Sequence, residues 1–172
     1  ENTSILATIA SPVAIIMVPI VGVAAWQLAA AAITGFIAKE NVVGTLAVVY
    51  GVTSFIDTEE LVLLQGAGTD AAGIIAISKV AALAYLMFNL FTPPCFAAIG
   101  AMNAEMKSAK WLWGGIGLQL AVGYTIGFIV YQAGTLITAG TLGAGFLPGL
   151  IAVAVIWAII AVLCIKGRTA SA

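Results

Sequence analysis

Charged residues interrupt this chain at only a few places, and the stretches between them are long and apolar. No charge falls between Glu1 and Lys39, and none falls between Lys110 and Lys166. A helix that crosses a bilayer needs about 20 mostly apolar residues, so each gap can hold at least one crossing. Residues 1–20 are apolar but carry Pro12 and Pro19, which remove ladder hydrogen bonds and predict an interfacial or kinked helix. Residues 21–56 are apolar apart from the adjacent pair Lys39-Glu40, and are too long for one straight crossing. They predict one locally interrupted passage. Residues 57–72 gather Asp57, Glu59, Glu60, Asp70, Gly66 and Gly68 and read as an external acidic loop.

Three further spans are predicted in 73–172. The first runs from about Gly73 to Phe91, stops at Thr92-Pro93-Pro94, and is followed by a new helical stretch to about Met106. Its one charge, Lys79, is placed to snorkel toward a surface. Glu105 to Lys110 forms a polar turn. The second span covers 111–132, opening with Trp111 and Trp113 and closing near Tyr131, since these aromatics favour the membrane interfaces. The Gly- and Thr-rich stretch 133–147 reads as a loop, and the last span covers 148–165, ending at Lys166 and Arg168. The expected fold is all-α: a polytopic membrane bundle with interrupted helices.

Composition sharpens this picture. The 172 residues are 63% hydrophobic and only 8% charged, where soluble domains carry about 25% charged residues. Lipid is the partner that composition demands. Lys107, Lys110, Lys166 and Arg168 fall on one side if the two intervening spans cross fully, and the positive-inside rule makes that side, with the C-terminus, cytoplasmic. The chain starts with Glu1 and shows no signal-peptide layout, so it reads as a piece of a longer protein.

Several chemistries are excluded. There is no histidine, which removes the commonest metal ligand and the Ser-His-Asp and Cys-His arrangements. No phosphate-loop motif, Cys-x-x-Cys pattern or basic stripe occurs, so no nucleotide, zinc or nucleic-acid site is expected in this stretch. Cys95 and Cys164 lie in different apolar segments and predict no structural disulfide.

Two places remain for chemistry. Lys39 and Glu40 lie within an apolar stretch, where a central charge costs at least about 2.5–3.5 kcal/mol and normally faces protein or a watery path. Neighbours on a helix point about 100° apart, so each needs its own partner. Glu40 can offer oxygen to a passing cation, and Lys39 can hold a carboxylate or a helix end. The bland alternative is a pair snorkelling between two short spans. The second place is Phe91-Thr92-Pro93-Pro94-Cys95. Thr92 is expected as an N-cap, Pro93 as the first helical residue and Cys95 in the first turn, where the macrodipole favours a thiolate. The break frees carbonyls near Phe88 to Phe91, and a thiolate beside carbonyls suits a borderline divalent metal. The bland alternative is a kink with an inert cysteine. Cys95, Ile99, Met102 and Met106 share a helical face, so Met102 is a weaker candidate ligand, thioethers at this spacing being more often packing filler. Cys164, just before the final basic residues, reads as structural.

These blocks resemble one family. Thr34-Gly35-Phe36-Ile37-Ala38-Lys39-Glu40-Asn41-Val42-Val43-Gly44-Thr45-Leu46 is similar to a block of the FeoB ferrous-iron transporters. Leu90-Phe91-Thr92-Pro93-Pro94-Cys95-Phe96-Ala97-Ala98-Ile99 resembles the Thr-Pro-Cys-x-Ala block of that family's second gate region, and Glu105 to Trp111 resembles its turn ending in Lys-Trp. One departure is the second proline before Cys95. The resemblance spans residues 4–165 and implies the C-terminal part of a membrane domain that takes up Fe(II) across the bacterial inner membrane. It implies metal-path roles for Cys95 and Glu40, with Lys39, Asn41, Thr92, Pro93 and Pro94 in support. It also implies a GTP- and Mg(II)-binding G domain and a first gate region in the same protein, both outside this stretch. The fragment itself is then no enzyme. A small accessory protein and a second copy of the chain are candidate partners. Two other readings stay open: a gate-type transporter of another solute such as a nucleoside, and a membrane docking or oligomerisation module, which the small residues Ala29 to Ala32 would suit.

Overall fold

The computed structural model describes residues 5–35, 39, 41–49 and 77–169. The acidic stretch 57–72 and Glu40 lie outside the described residues. The described residues form seven helices in order: α1 (Ile5–Val21), α2 (Trp26–Gly35), α3 (Asn41–Val49), α4 (Lys79–Phe91), α5 (Phe96–Met106), α6 (Ala109–Ala139) and α7 (Phe146–Thr169). No strand occurs among the described residues.

The distribution of side chains is the reverse of a soluble bundle. On α1 the buried stripe is Ala7, Ala10, Ala14, Met17 and Val21, while Ile5, Ile9, Ile15 and Ile16 point outward. Small residues inside let helices approach closely, and bulky ones outside suit lipid, which is as apolar as they are. Helix α4 repeats the pattern, with Ala81 and Ala84 inside and Leu83, Leu86 and Leu90 outside. Helix α2 is the innermost element, because Leu28, Ala29, Ala30, Ala31 and Ala32 are all buried. Among the described residues, three stretches are long and apolar enough to cross a membrane: Lys79–Met106, Ala109–Ala139 and Phe146–Lys166. Helices α1 and α2 form a fourth candidate, bent by 98° at the break between them.

Helix α1 remains helical through Pro12 and Pro19. Two side chains of α6 brace its disturbed C-terminal end. Tyr124 Oη donates to Ile16 O at 3.2 Å, and Gln132 Nε2 donates to Pro19 O at 3.3 Å. Gln132 Oε1 also accepts from Gly143 N at 2.9 Å, tying in the connection to α7.

Helix α6 corrects one sequence expectation. Residues 133–139 are helical, not loop, so the second span has 31 residues and the connection to α7 is short. Thr135 and Thr138 keep the helix going by donating their hydroxyls to the carbonyls of Tyr131 and Gly134, which removes polar demand in an apolar setting. The helix stops only at Gly140, whose φ of 67° suits a residue without a Cβ. A second correction follows. Tyr131 is buried in the core and not at an interface, whereas Trp111 and Trp113 are exposed.

The closest helix pairing is α4 with α6. Gly123 and Gly127 lie four apart on the α6 face that meets α4, a Gly-x-x-x-Gly arrangement that admits close backbone approach. A Cβ on Gly123 would lie 3.1 Å from Thr92 N and 3.2 Å from Phe91 C, so α6 touches the end of α4 directly.

Candidate functional site

Two interruptions meet in this fold. Helix α2 ends at Gly35, α3 begins at Asn41, and Lys39 lies in the turn between them. Helix α4 ends at Phe91, and α5 begins at Phe96. Thr34 and Thr45 link α2 to α3 through their hydroxyls at 2.9 Å, and Tyr85 Oη links α4 to α2 by donating to Leu28 O at 2.9 Å. The turn and the break are thereby held against each other.

The physics of the break lies in its prolines. Carbonyls of Asn89 and Leu90 would ordinarily accept from the N–H groups of residues 93 and 94. Both of those are proline and have no N–H. The Lys39 ammonium supplies a replacement. Its Nζ donates to Asn89 O, to Thr92 O at 3.1 Å and to Thr92 Oγ1 at 3.1 Å. Three N–H donors thus meet three oxygens, which is why a half-buried lysine is tolerated here. Thr92 Oγ1 donates in turn to Asn89 O at 2.9 Å, and Asn89 Nδ2 donates to Tyr85 O at 2.9 Å. Of the two roles open to Lys39 in the sequence, the structure selects the helix end.

The register of the break differs from the sequence expectation. Thr92 is the C-cap of α4, with its N–H on Phe88 O at 3.0 Å, and is not the N-cap of α5. Cys95 takes the N-cap position and makes no side-chain capping bond. The second proline explains the shift. A residue before proline is pushed into extended conformations, so Pro93, which precedes Pro94, is barred from the first helical position that a Thr92 cap would require. The α5 start therefore slides downstream, and Pro93 is fully buried beneath it.

The other predicted residues separate. Cys95 is half-buried and follows Thr92, which Lys39 holds, by three residues in the chain. Pro94 is half-buried. Met102 is half-buried and its Cε lies 3.9 Å from where a Cβ on Gly115 would stand, so it packs toward α6. Met106 is exposed and leaves the Met102 face without a second thioether. Asn41 is exposed at the start of α3. No group of three or more His, Cys, Asp or Glu side chains lies together among the described residues. The donors that the described residues gather at the break are the Cys95 thiol, backbone carbonyls and the Thr92 hydroxyl.

One polar residue went unflagged in the sequence. Gln119 Oε1 is buried and has no hydrogen-bond partner among the described residues. On α6 it stands one turn from Gly115, which faces Met102, and one turn from Gly123, which faces Thr92. The signal available was an amide side chain, one of two with Gln132, within the uncharged stretch between Lys110 and Lys166.

Interrupted spans that meet inside an apolar helical bundle define a multi-pass membrane protein with non-helical backbone sheltered by protein. The model of the Gate family, described as nucleoside recognition, matches residues 1–109, which include both interruptions. The chain is similar to the Fe(2+) transporter FeoB of Staphylococcus aureus (strain COL), 30% identical over 140 residues, covering 78% of this chain and 18% of the relative. It is also similar to an Fe(2+) transport protein A/Fe(2+) transporter FeoB fusion protein of Porphyromonas gingivalis, 32% identical over 115 residues, covering 64% of this chain and 14% of the relative. A third relative is the Fe(2+) transporter FeoB of Methanocaldococcus jannaschii, 29% identical over 114 residues, covering 65% of this chain and 15% of the relative. The chain spans less than a fifth of the length of these curated relatives. No solved structure matches it. The chain belongs to the Gate family, and its similarity is to the membrane part of FeoB proteins.

Proposed function

We propose that this chain forms part of the ion path of a ferrous-iron uptake transporter, with Fe(II) as the transported substrate. The observation that carries the reading is the break at Thr92 to Cys95, where a cysteine without a capping bond opens α5 and the carbonyls that end α4 bond to a lysine ammonium inside an apolar bundle. Fe(II) is borderline in softness and accepts thiolate and oxygen together. A path needs weak, replaceable donors, because the ion has to leave again. Neutral carbonyls, a hydroxyl and one thiol meet that need. Cys95 is the sulfur ligand on this reading. Glu40, next to Lys39 in sequence, supplies carboxylate oxygen, and Met102 and Asn41 are subsidiary.

The names of the relatives support the substrate. On this reading the whole protein joins this stretch to a first gate region and a cytoplasmic domain that binds GTP and Mg(II). The fusion in Porphyromonas gingivalis supports a small accessory protein as a partner. The location that follows is the bacterial inner membrane, with the C-terminus on the cytoplasmic side by the placement of Lys107, Lys110 and Lys166. The stretch itself performs no catalysis.

The description of the Gate family as nucleoside recognition favours a second reading, recognition of a nucleoside. A nucleoside needs several free hydrogen-bonding side chains and an aromatic surface. The polar groups at the break are instead engaged with one another. Reconstitution of the full-length protein in vesicles separates the two. Fe(II) influx that excess nucleoside leaves unchanged is the expected result. Nucleoside uptake without Fe(II) influx would replace iron with an organic solute.

A further inference from the structure

The oxygens that surround the Lys39 ammonium are the oxygens a dehydrated cation would use. Helix α4 ends within the apolar bundle, and its last carbonyls carry the negative end of the macrodipole. Two adjacent prolines then deny Asn89 O and Leu90 O their ordinary donors. Asn89 O, Thr92 O and Thr92 Oγ1 converge on one positively charged atom. Unwound carbonyls at the C-terminal end of a half-helix form cation sites in membrane transporters generally. Here the position is filled by a cation that belongs to the chain and cannot diffuse away.

We infer that the C-terminal end of α4 is a divalent-cation site built from Asn89 O, Thr92 O and Thr92 Oγ1, and that Lys39 is its tethered occupant, closing the path until it withdraws. The inference rests on the reading of the break as an ion path. Two cations cannot share three neutral oxygens, because their repulsion at this distance is not screened by water. The ion therefore enters only when Lys39 leaves, and Lys39 returns when the ion moves on. Its position favours such exchange. Lys39 sits in a turn between two short helices, and among the described residues its Nζ bonds to Asn89 O, Thr92 O and Thr92 Oγ1. The site is also graded. Three hard, neutral oxygens lie next to the softer thiol of Cys95, so an ion displacing Lys39 meets oxygen and sulfur in succession.

Mn(II) is the probe, because it is redox-stable and its paramagnetic signal reports coordination. In the full-length protein in detergent, Lys39→Met is expected to bind Mn(II) several-fold more tightly than wild type, and adding Thr92→Val is expected to reverse most of that gain. In vesicles without nucleotide, Lys39→Met is expected to leak Mn(II) several-fold faster, while Lys39→Arg stays closed. A folded Lys39→Met protein with wild-type Mn(II) binding and leak overturns the inference. If that variant does not fold, the wild-type protein decides. Acylation of Lys39, followed by mass spectrometry, is expected to rise several-fold when Mn(II) is added, and labelling that Mn(II) leaves unchanged overturns the inference. A wild-type protein that carries no Fe(II) at all would end the transport reading, whereas normal Fe(II) transport with unchanged Lys39 labelling would end only the tethered-cation site.

Discussion

The ammonium of Lys39 lies 3.1 Å from the carbonyl oxygen of Thr92, joining a turn between two short helices to a break 53 residues further along the chain. That contact fixes the geometry of the candidate path. The same ammonium reaches Asn89 O, whose helical donor Pro93 removes, and brings the two interruptions of the fold together.

Removal of the ammonium should loosen the end of α4. With metal chelated, Lys39→Met leaves Asn89 O and Thr92 O short of a donor, at a cost of about 1–3 kcal/mol. Thermal unfolding of the detergent-solubilised full-length protein in EDTA should show a lower midpoint than wild type, with Lys39→Arg between the two. A midpoint at the wild-type value would mean that the contact contributes nothing to stability.

Close approach of α6 to the break gives a paired test. Gly123→Ala places a Cβ 3.1 Å from Thr92 N and 3.2 Å from Phe91 C, and backbone atoms cannot step aside as a flexible side chain can. A loss of about 1–3 kcal/mol is expected, as for other overpacked sites. Gly114→Ala on the same helix meets nothing within 4 Å and should be neutral or gain up to about 1 kcal/mol from helix propensity. Equal effects of the two substitutions on the unfolding midpoint would contradict the packing described for α4 and α6.

Gln119 makes the opposite kind of prediction. Its buried Oε1 lacks a partner among the described residues, and an unpaired polar atom in an apolar place costs about 1–3 kcal/mol. Gln119→Leu keeps the volume similar and removes that cost, so the unfolding midpoint should rise. A fall would show that the amide makes a stabilising bond in the assembled protein.

Carboxylates should differ according to their place along the chain. Glu40→Gln is expected to reduce Fe(II) influx in vesicles more than Asp57→Asn, because a charge within an apolar stretch is retained for a reason whereas one in an acidic loop is solvated. Equal, mild effects would reduce Glu40 to a structural residue.

Much of the fold was legible because lipid imposes simple rules. Charge-free gaps marked the spans after residue 77, and Trp111 and Trp113 marked the start of α6. The end of α6 was misread because Gly134, Thr135 and Thr138 resemble loop residues, although threonine hydroxyls can be satisfied by the preceding turn. The break at Pro93-Pro94 was visible from the missing N–H groups, but its register was not, because the effect of one proline on the conformation of another was left out. The partner of Lys39 could not be read at all. Asn89 and Thr92 are 50 and 53 residues distant, and only the tertiary fold brings them near. The Gly123-Gly127 pair was present in the sequence as a small-x-x-x-small pattern and was passed over among many other glycines.

The most direct test of the account is the reactivity of Cys95. The full-length protein would be treated anaerobically with a water-soluble, positively charged thiol reagent, and modification at Cys95 followed by mass spectrometry with and without Fe(II). A thiol on a hydrated ion path is expected to react from water and to be slowed several-fold by Fe(II). A Cys95 that never reacts, or that reacts at the same rate whether or not Fe(II) is present, would contradict the path described here.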